Sequence, residues 1–143
     1  VDGAAAVVIG NKDIADKNNI KPLARILGSA SAGVDPKIMG IGPVPSIQNV
    51  LKLAGLSISD IDLFEINEAF GAQIVAVEKE LGLDREKLNV NGGAIAIGHP
   101  LAATGTRLTH SLALEMKRRN VRYGIASACI GGGQGTAILL ENN

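Results

Sequence analysis

Tyr123-Gly124-Ile125-Ala126-Ser127-Ala128-Cys129 is an apolar run of strand length, and Thr136-Ala137-Ile138-Leu139-Leu140 is another. Between them lie Ile130 and the turn Gly131-Gly132-Gly133-Gln134-Gly135. A glycine turn this short joins neighbouring strands that run antiparallel. Upstream, Leu108, Leu112 and Met116 recur at i, i+4, i+8 and mark a helix face, with Lys117, Arg118 and Arg119 completing its last turn. Cations there complement the helix dipole. Asn89 to Gly105 is glycine-rich with little period. Before it, Phe70, Ile74, Val77 and Leu81 form the stripe of a helix that opens at Glu68 and closes at Gly82, and Ile61 to Ile66 reads as a strand. Ile47, Val50, Leu51 and Ala54 follow the i, i+3, i+4, i+7 rule behind Pro43 and Pro45, with Gly55 as the stop. Further back come a strand from Leu23 to Ser31, a short polar helix from Asp13 to Asn19, and the run Ala4 to Ile9. That run is continuously apolar, as a strand covered on both faces is. Strands alternating with helices predict an α/β domain. The closing antiparallel pair makes the predicted five-stranded sheet mixed, between helix layers.

The 143 residues and 14.7 kDa suit one domain, taken as residues 1–143. Apolar residues are 46 %, enough for a core, and they are mostly aliphatic, with two Phe, one Tyr and no Trp. Fourteen basic residues balance fourteen acidic ones, so nothing electrostatic points to nucleic acid or an anionic membrane. No apolar run approaches the ~18 residues of a membrane helix. One cysteine excludes an internal disulfide and suits a reducing compartment. The chain opens Val1-Asp2-Gly3-Ala4 without Met, which reads as a piece of a longer polypeptide.

Reactive and small residues concentrate at four places, each read as the end of a predicted strand, where α/β folds set their sites. Asn67-Glu68-Ala69-Phe70 follows a strand; Asn67 suits a helix cap or an amide that holds a water or carbonyl oxygen. Asn91-Gly92-Gly93-Ala94-Ile95-Ala96-Ile97-Gly98-His99-Pro100 fixes an imidazole among glycines that permit close approach to a ligand. His110 sits among ordinary helix residues and reads as structural. Cys129 meets the glycine turn, whose N–H groups are the material of an oxyanion hole. The fourth place, Met39-Gly40-Ile41-Gly42-Pro43, says only loop. Gly93 to Gly98 has the span of a phosphate loop but continues into His99 and Pro100 where Lys and Ser/Thr are required. The glycines at 131–135 lead to a strand, so they are no dinucleotide fingerprint. One Cys and two His do not make a structural zinc site.

Taken in order, Asn67-Glu68-Ala69-Phe70, the run Asn89 to Pro100 and Cys129-Ile130-Gly131-Gly132-Gly133 closely resemble the C-terminal half of a thiolase (acetyl-CoA C-acyltransferase), and Asp35 to Pro43 fits too. The resemblance implies one βαβαβαββ half of a five-layered α-β-α-β-α body. It also implies acyl exchange between a 3-ketoacyl-CoA and CoA, or the reverse Claisen condensation. Coenzyme A would be substrate, with no further cofactor. By resemblance, His99 activates the nucleophile or incoming thiol and donates to an oxyanion hole. Asn67 holds a water completing that hole, Cys129 is the acid/base cysteine, and the Gly131 N–H serves a second hole. Met39, Ala69 and Phe70 line the acyl-CoA channel. A carbanion beside a thioester needs an acid of moderate pKa, and an ordinary thiol titrates near about 8.5.

Ala102 stands where the family more often has Gly, and Thr104 where Ser is frequent; the added methyl could crowd the His99 loop. The acylated cysteine belongs to the family's N-terminal half. The implied partners are therefore acyl-CoA or CoA, an N-terminal thiolase domain and, in the full-length form, further copies in a homo-oligomer. The expected compartment is the cytoplasm, or a mitochondrial or peroxisomal matrix if the source is eukaryotic. The isolated chain is expected to be inactive. Two other readings remain at this point: an assembly module whose reactive residues are relics, and a hydrolase using Cys129, His99 and Asn67.

Overall fold

The computed structural model describes residues 1–142. Four strands form one sheet: β1 (Arg25–Gly33), β2 (Leu63–Ile66), β3 (Tyr123–Ile130) and β4 (Gln134–Glu141), in the order β1-β4-β3-β2. β4 pairs antiparallel with β1 and β3, while β2 and β3 run parallel. The sheet is mixed, as expected, and the reason is the one read from the glycine turn. Gly132 and Gly133 both sit at φ 89°, a region closed to most side chains, and reverse the chain within four residues of Cys129.

Five helices accompany the strands: α1 (Lys12–Lys17), α2 (Pro43–Ala54), α3 (Gly71–Leu81), the single turn α4 (Ala94–Ile97) and α5 (Leu101–Arg119). A 3-10 segment, Pro36–Ile41, precedes α2. Prolines occupy the first turn of α2, and Gly55 and Gly82 close α2 and α3 at φ 68° and 63°. Ile47, Val50 and Leu51 of α2 and Ile74 and Val77 of α3 pack on Phe64, Ile66, Ile125 and Leu139 from one side of the sheet. Leu108, Leu112 and Met116 of α5 pack on Leu63, Ala126 and Leu140 from the other. Each such side chain, fully buried, contributes about 1.5–3 kcal/mol, so the three layers hold together by two separate apolar cores.

Two expectations need correction. The predicted fifth strand, Ala4 to Ile9, does not form: residues 1–11 carry no regular structure. Val8 and Ile9 are 101 % and 75 % exposed. A strand needs a partner for its N–H and C=O groups as well as an apolar sequence, and none of the described strands lies beside it. The helix expected from Glu68 starts instead at Gly71, with Phe70 as its cap residue. Asn67 therefore caps nothing.

Candidate active site

The parallel pair sets the geometry. Ile66 stands opposite Ser127, and the Asn67 N–H donates to Ser127 O at 2.9 Å, so Asn67 continues β2 level with the end of β3, where Cys129 lies. α5 returns along these strands: Leu112 and Met116 lie against Gly124 at the start of β3. Nineteen residues of helix span about 28 Å at 1.5 Å each, roughly the length of an eight-residue strand. The amino end of α5, with His99 just before it, is thus at the carboxyl ends of β2 and β3. Asn67, His99, Cys129 and Gly131 all share that end of the sheet.

Asn67 is 1 % exposed, and neither Oδ1 nor Nδ2 has a hydrogen-bond partner among the described residues. Leaving one buried polar group unsatisfied costs about 1–3 kcal/mol, so the fold carries this bare carboxamide at a cost. Asn89 is its opposite. It runs beside the free edge of β2, its N–H donating to Phe64 O at 2.8 Å. Its Oδ1 accepts from Ile66 N at 2.8 Å, and its Nδ2 donates to Ile66 O and to Glu68 Oε1, both at 2.9 Å. The side-chain amide stands in for a peptide of a neighbouring strand and pins the end of β2. Its φ of 47° is one that Asn tolerates better than most residues.

His99 follows Gly98, whose φ of 91° turns the chain out of α4. Its Nδ1 lies 2.6 Å from Thr104 Oγ1, and that hydroxyl donates to Pro100 O at 3.0 Å. A hydroxyl has one proton. With it given to Pro100, Oγ1 accepts from Nδ1–H, so in the neutral ring Nε2 carries the free lone pair. Thr104 is buried in α5.

Cys129 is buried near the end of β3, and burial raises its thiol pKa. The glycine turn beyond it rests on the 3-10 segment and the start of α2. A Cβ on Gly133 would overlap Val34 O, and one on Gly135 would overlap Gly42 O. This contact brings the half-buried Met39 to the same side as the turn that follows Cys129. Ala69 is half-buried, while Phe70 is 62 % exposed at the start of α3. They stand two and three residues after Asn67.

Sequence reasoning missed several buried charged groups on the α5 side of the sheet. Glu65 is buried on the α5 side; its carboxyl is pushed up to about 7, chiefly by burial, with Glu68 and Glu115 adding to the shift and Arg107 opposing it. Arg107 Nε and Nη2 are themselves buried without partners among the described residues. Glu115, by contrast, is held down to about 2, first by Arg118, with Asn91 and Arg119 assisting. Only the polar letters inside apolar segments could have flagged these groups.

The described residues contain no cluster of three metal-ligating side chains, and no helix among them is long and apolar enough to cross a membrane. Residues 20–142 match the family described as thiolase, C-terminal domain. The mitochondrial 3-ketoacyl-CoA thiolase of Bos taurus is 58 % identical over 141 residues, covering 99 % of this chain and 36 % of that protein. The 3-ketoacyl-CoA thiolase of Bacillus subtilis is 56 % identical over 140 residues, covering 98 % and 36 %. The crystal structure of human mitochondrial 3-ketoacyl-CoA thiolase in complex with CoA superposes with a TM-score of 0.90 at 55 % identity, covering 92 % of this chain and 34 % of that one. The chain thus spans about a third of the length of the relatives it matches. On a family match across nearly all of its length, joined to the same fold, the chain belongs to the thiolase family, as its C-terminal domain.

Proposed function

We propose that residues 1–143 form the C-terminal domain of an enzyme that exchanges acyl groups between a 3-ketoacyl-CoA and CoA, with the acyl-carrying cysteine on an N-terminal domain. The observation that carries this reading is the Asn67 carboxamide, buried and unpartnered at the strand end it shares with the His99 loop and Cys129. In this reading His99 Nε2, left bare by the Nδ1–Thr104 bond, takes the proton of the nucleophilic or incoming thiol. The thiolate adds to the carbonyl carbon. Negative charge gathers on the carbonyl oxygen, where His99 and a water held by Asn67 stabilise it. The bond to the acetyl-CoA unit then breaks and leaves a carbanion. The Cys129 thiol, protonated at neutral pH as an ordinary thiol is and pushed further that way by burial, delivers the proton that carbanion needs; in condensation the thiolate removes it. The Gly131 N–H serves the second oxyanion, and Met39, Ala69 and Phe70 line the channel.

A human relative has been solved with CoA, which supports CoA as the substrate here. Assembly as a homo-oligomer and a cytoplasmic or matrix compartment belong to the same proposal. The test uses acetoacetyl-CoA and CoA. The isolated chain should form no acetyl-CoA above background, while the full-length polypeptide should turn over. Robust turnover by the pure chain, or an inert full-length polypeptide, would refute the reading.

A further inference from the structure

Asn67 and His99 lie on segments that no strand pairing connects, yet a two-group reaction needs their separation held. One side chain spans the two segments. Glu68, next to Asn67, accepts from Asn89 Nδ2 through Oε1 at 2.9 Å and from the Ile95 N–H through Oε2 at 3.0 Å. Asn89 in turn is bonded to both backbone groups of Ile66. The chain of contacts runs from the end of β2, through Asn89 and Glu68, to the second residue of α4, four residues before His99.

α4 is one turn long and its cap residue is Gly93, which has no side chain to offer its free N–H groups. A turn so short does not hold itself together. The Glu68 carboxylate supplies the missing acceptor and a charge of the favourable sign for a helix amino end. Gly93 is required by this arrangement. Its backbone is extended, open to any residue, but a Cβ there would overlap the Glu68 carboxylate. We infer that Glu68 is a positioning residue: its carboxylate, bonded to Asn89 and to the Ile95 N–H, clamps the His99 segment onto the strand end that carries Asn67. The inference rests on the proposed acyl-transfer reading, in which those two side chains act on one oxygen.

The test compares wild type, E68Q and E68A in the full-length polypeptide. It reads thiolysis of acetoacetyl-CoA by CoA, and backbone amide hydrogen exchange of the peptide covering residues 92–99. A misplacement near 1 Å lowers a rate by up to about 100-fold. E68A should therefore lose roughly 10- to 100-fold in kcat with KM for CoA within about threefold, and exchange over 92–99 should quicken. E68Q keeps one oxygen for the Ile95 N–H but sets its amide group against Asn89, so it should fall between. If E68A does not fold, E68Q decides alone. An active wild type whose folded variants keep kcat within twofold, or whose 92–99 exchange is unchanged, overturns the clamp while leaving the function reading standing. An inactive wild type overturns the function reading and the clamp's purpose with it.

Discussion

Two asparagines at the end of β2 have opposite fates. Asn89 uses its carboxamide fully, on Ile66 and Glu68. Asn67 uses none of its own. Residue type and location are nearly the same, so the difference lies in what surrounds each amide: one completes the edge of a sheet, the other has no partner among the described residues. The contrast also separates two kinds of mutational damage, to chemistry and to stability.

The largest effect is expected at Asn67. N67A in the full-length polypeptide should lower kcat by about 100- to 1,000-fold, the loss of one oxyanion-hole contributor. Its urea midpoint should stay close to wild type, because no protein hydrogen bond is broken. A large fall in midpoint would break the contrast. N89A should do the reverse and destabilise the fold by about 2–3 kcal/mol, since it orphans both backbone groups of Ile66. Equilibrium urea unfolding measures this, and an unchanged midpoint would show that the edge contact is dispensable.

Glu65 offers a smaller, pH-dependent effect on the same strand. Burial pushes its carboxyl up to about 7 in the fold, from an ordinary glutamate value of 4.5. The folded state therefore holds a proton that the unfolded chain has released. The carboxyl's contribution is complete below about 4.5 and is lost as the pH rises through about 7. E65Q imitates the protonated form. Its advantage over wild type should grow by about 2 kcal/mol between pH 5 and pH 8, read from unfolding at each pH. A pH-independent difference would mean that Arg107 neutralises the charge. Smallest is Thr104. T104V removes the acceptor for Nδ1–H and should lower kcat by about tenfold, roughly 1.4 kcal/mol. T104S should retain wild-type activity, and equal losses in the two variants would count against the hydroxyl.

Much of this was readable in advance, and the failures have a common cause. Gly55 and Gly82 stop helices as expected because αL closure is a local property of glycine. The mixed sheet follows from the glycine turn at 131–135 for the same reason. Asn67, His99 and Cys129 stand out in their motifs as candidates, and the topology gathers all three at one end of the sheet. The bonds that prepare them were invisible. Glu68 reaches Asn89 and Ile95 across 21 and 27 residues, and no periodicity reports such a contact.

The amino acids alone settled the elements that depend on local chemistry: helix faces, glycine stops and the reversal after Cys129. Tertiary structure decided what depends on a partner. Ala4–Ile9 and Ile125–Cys129 are both apolar runs, yet only the second is a strand, because only the second has neighbours for its peptide groups. Likewise only packing could leave one asparagine satisfied and the other bare, since hydrogen-bond satisfaction belongs to a pair of groups in space and not to either residue.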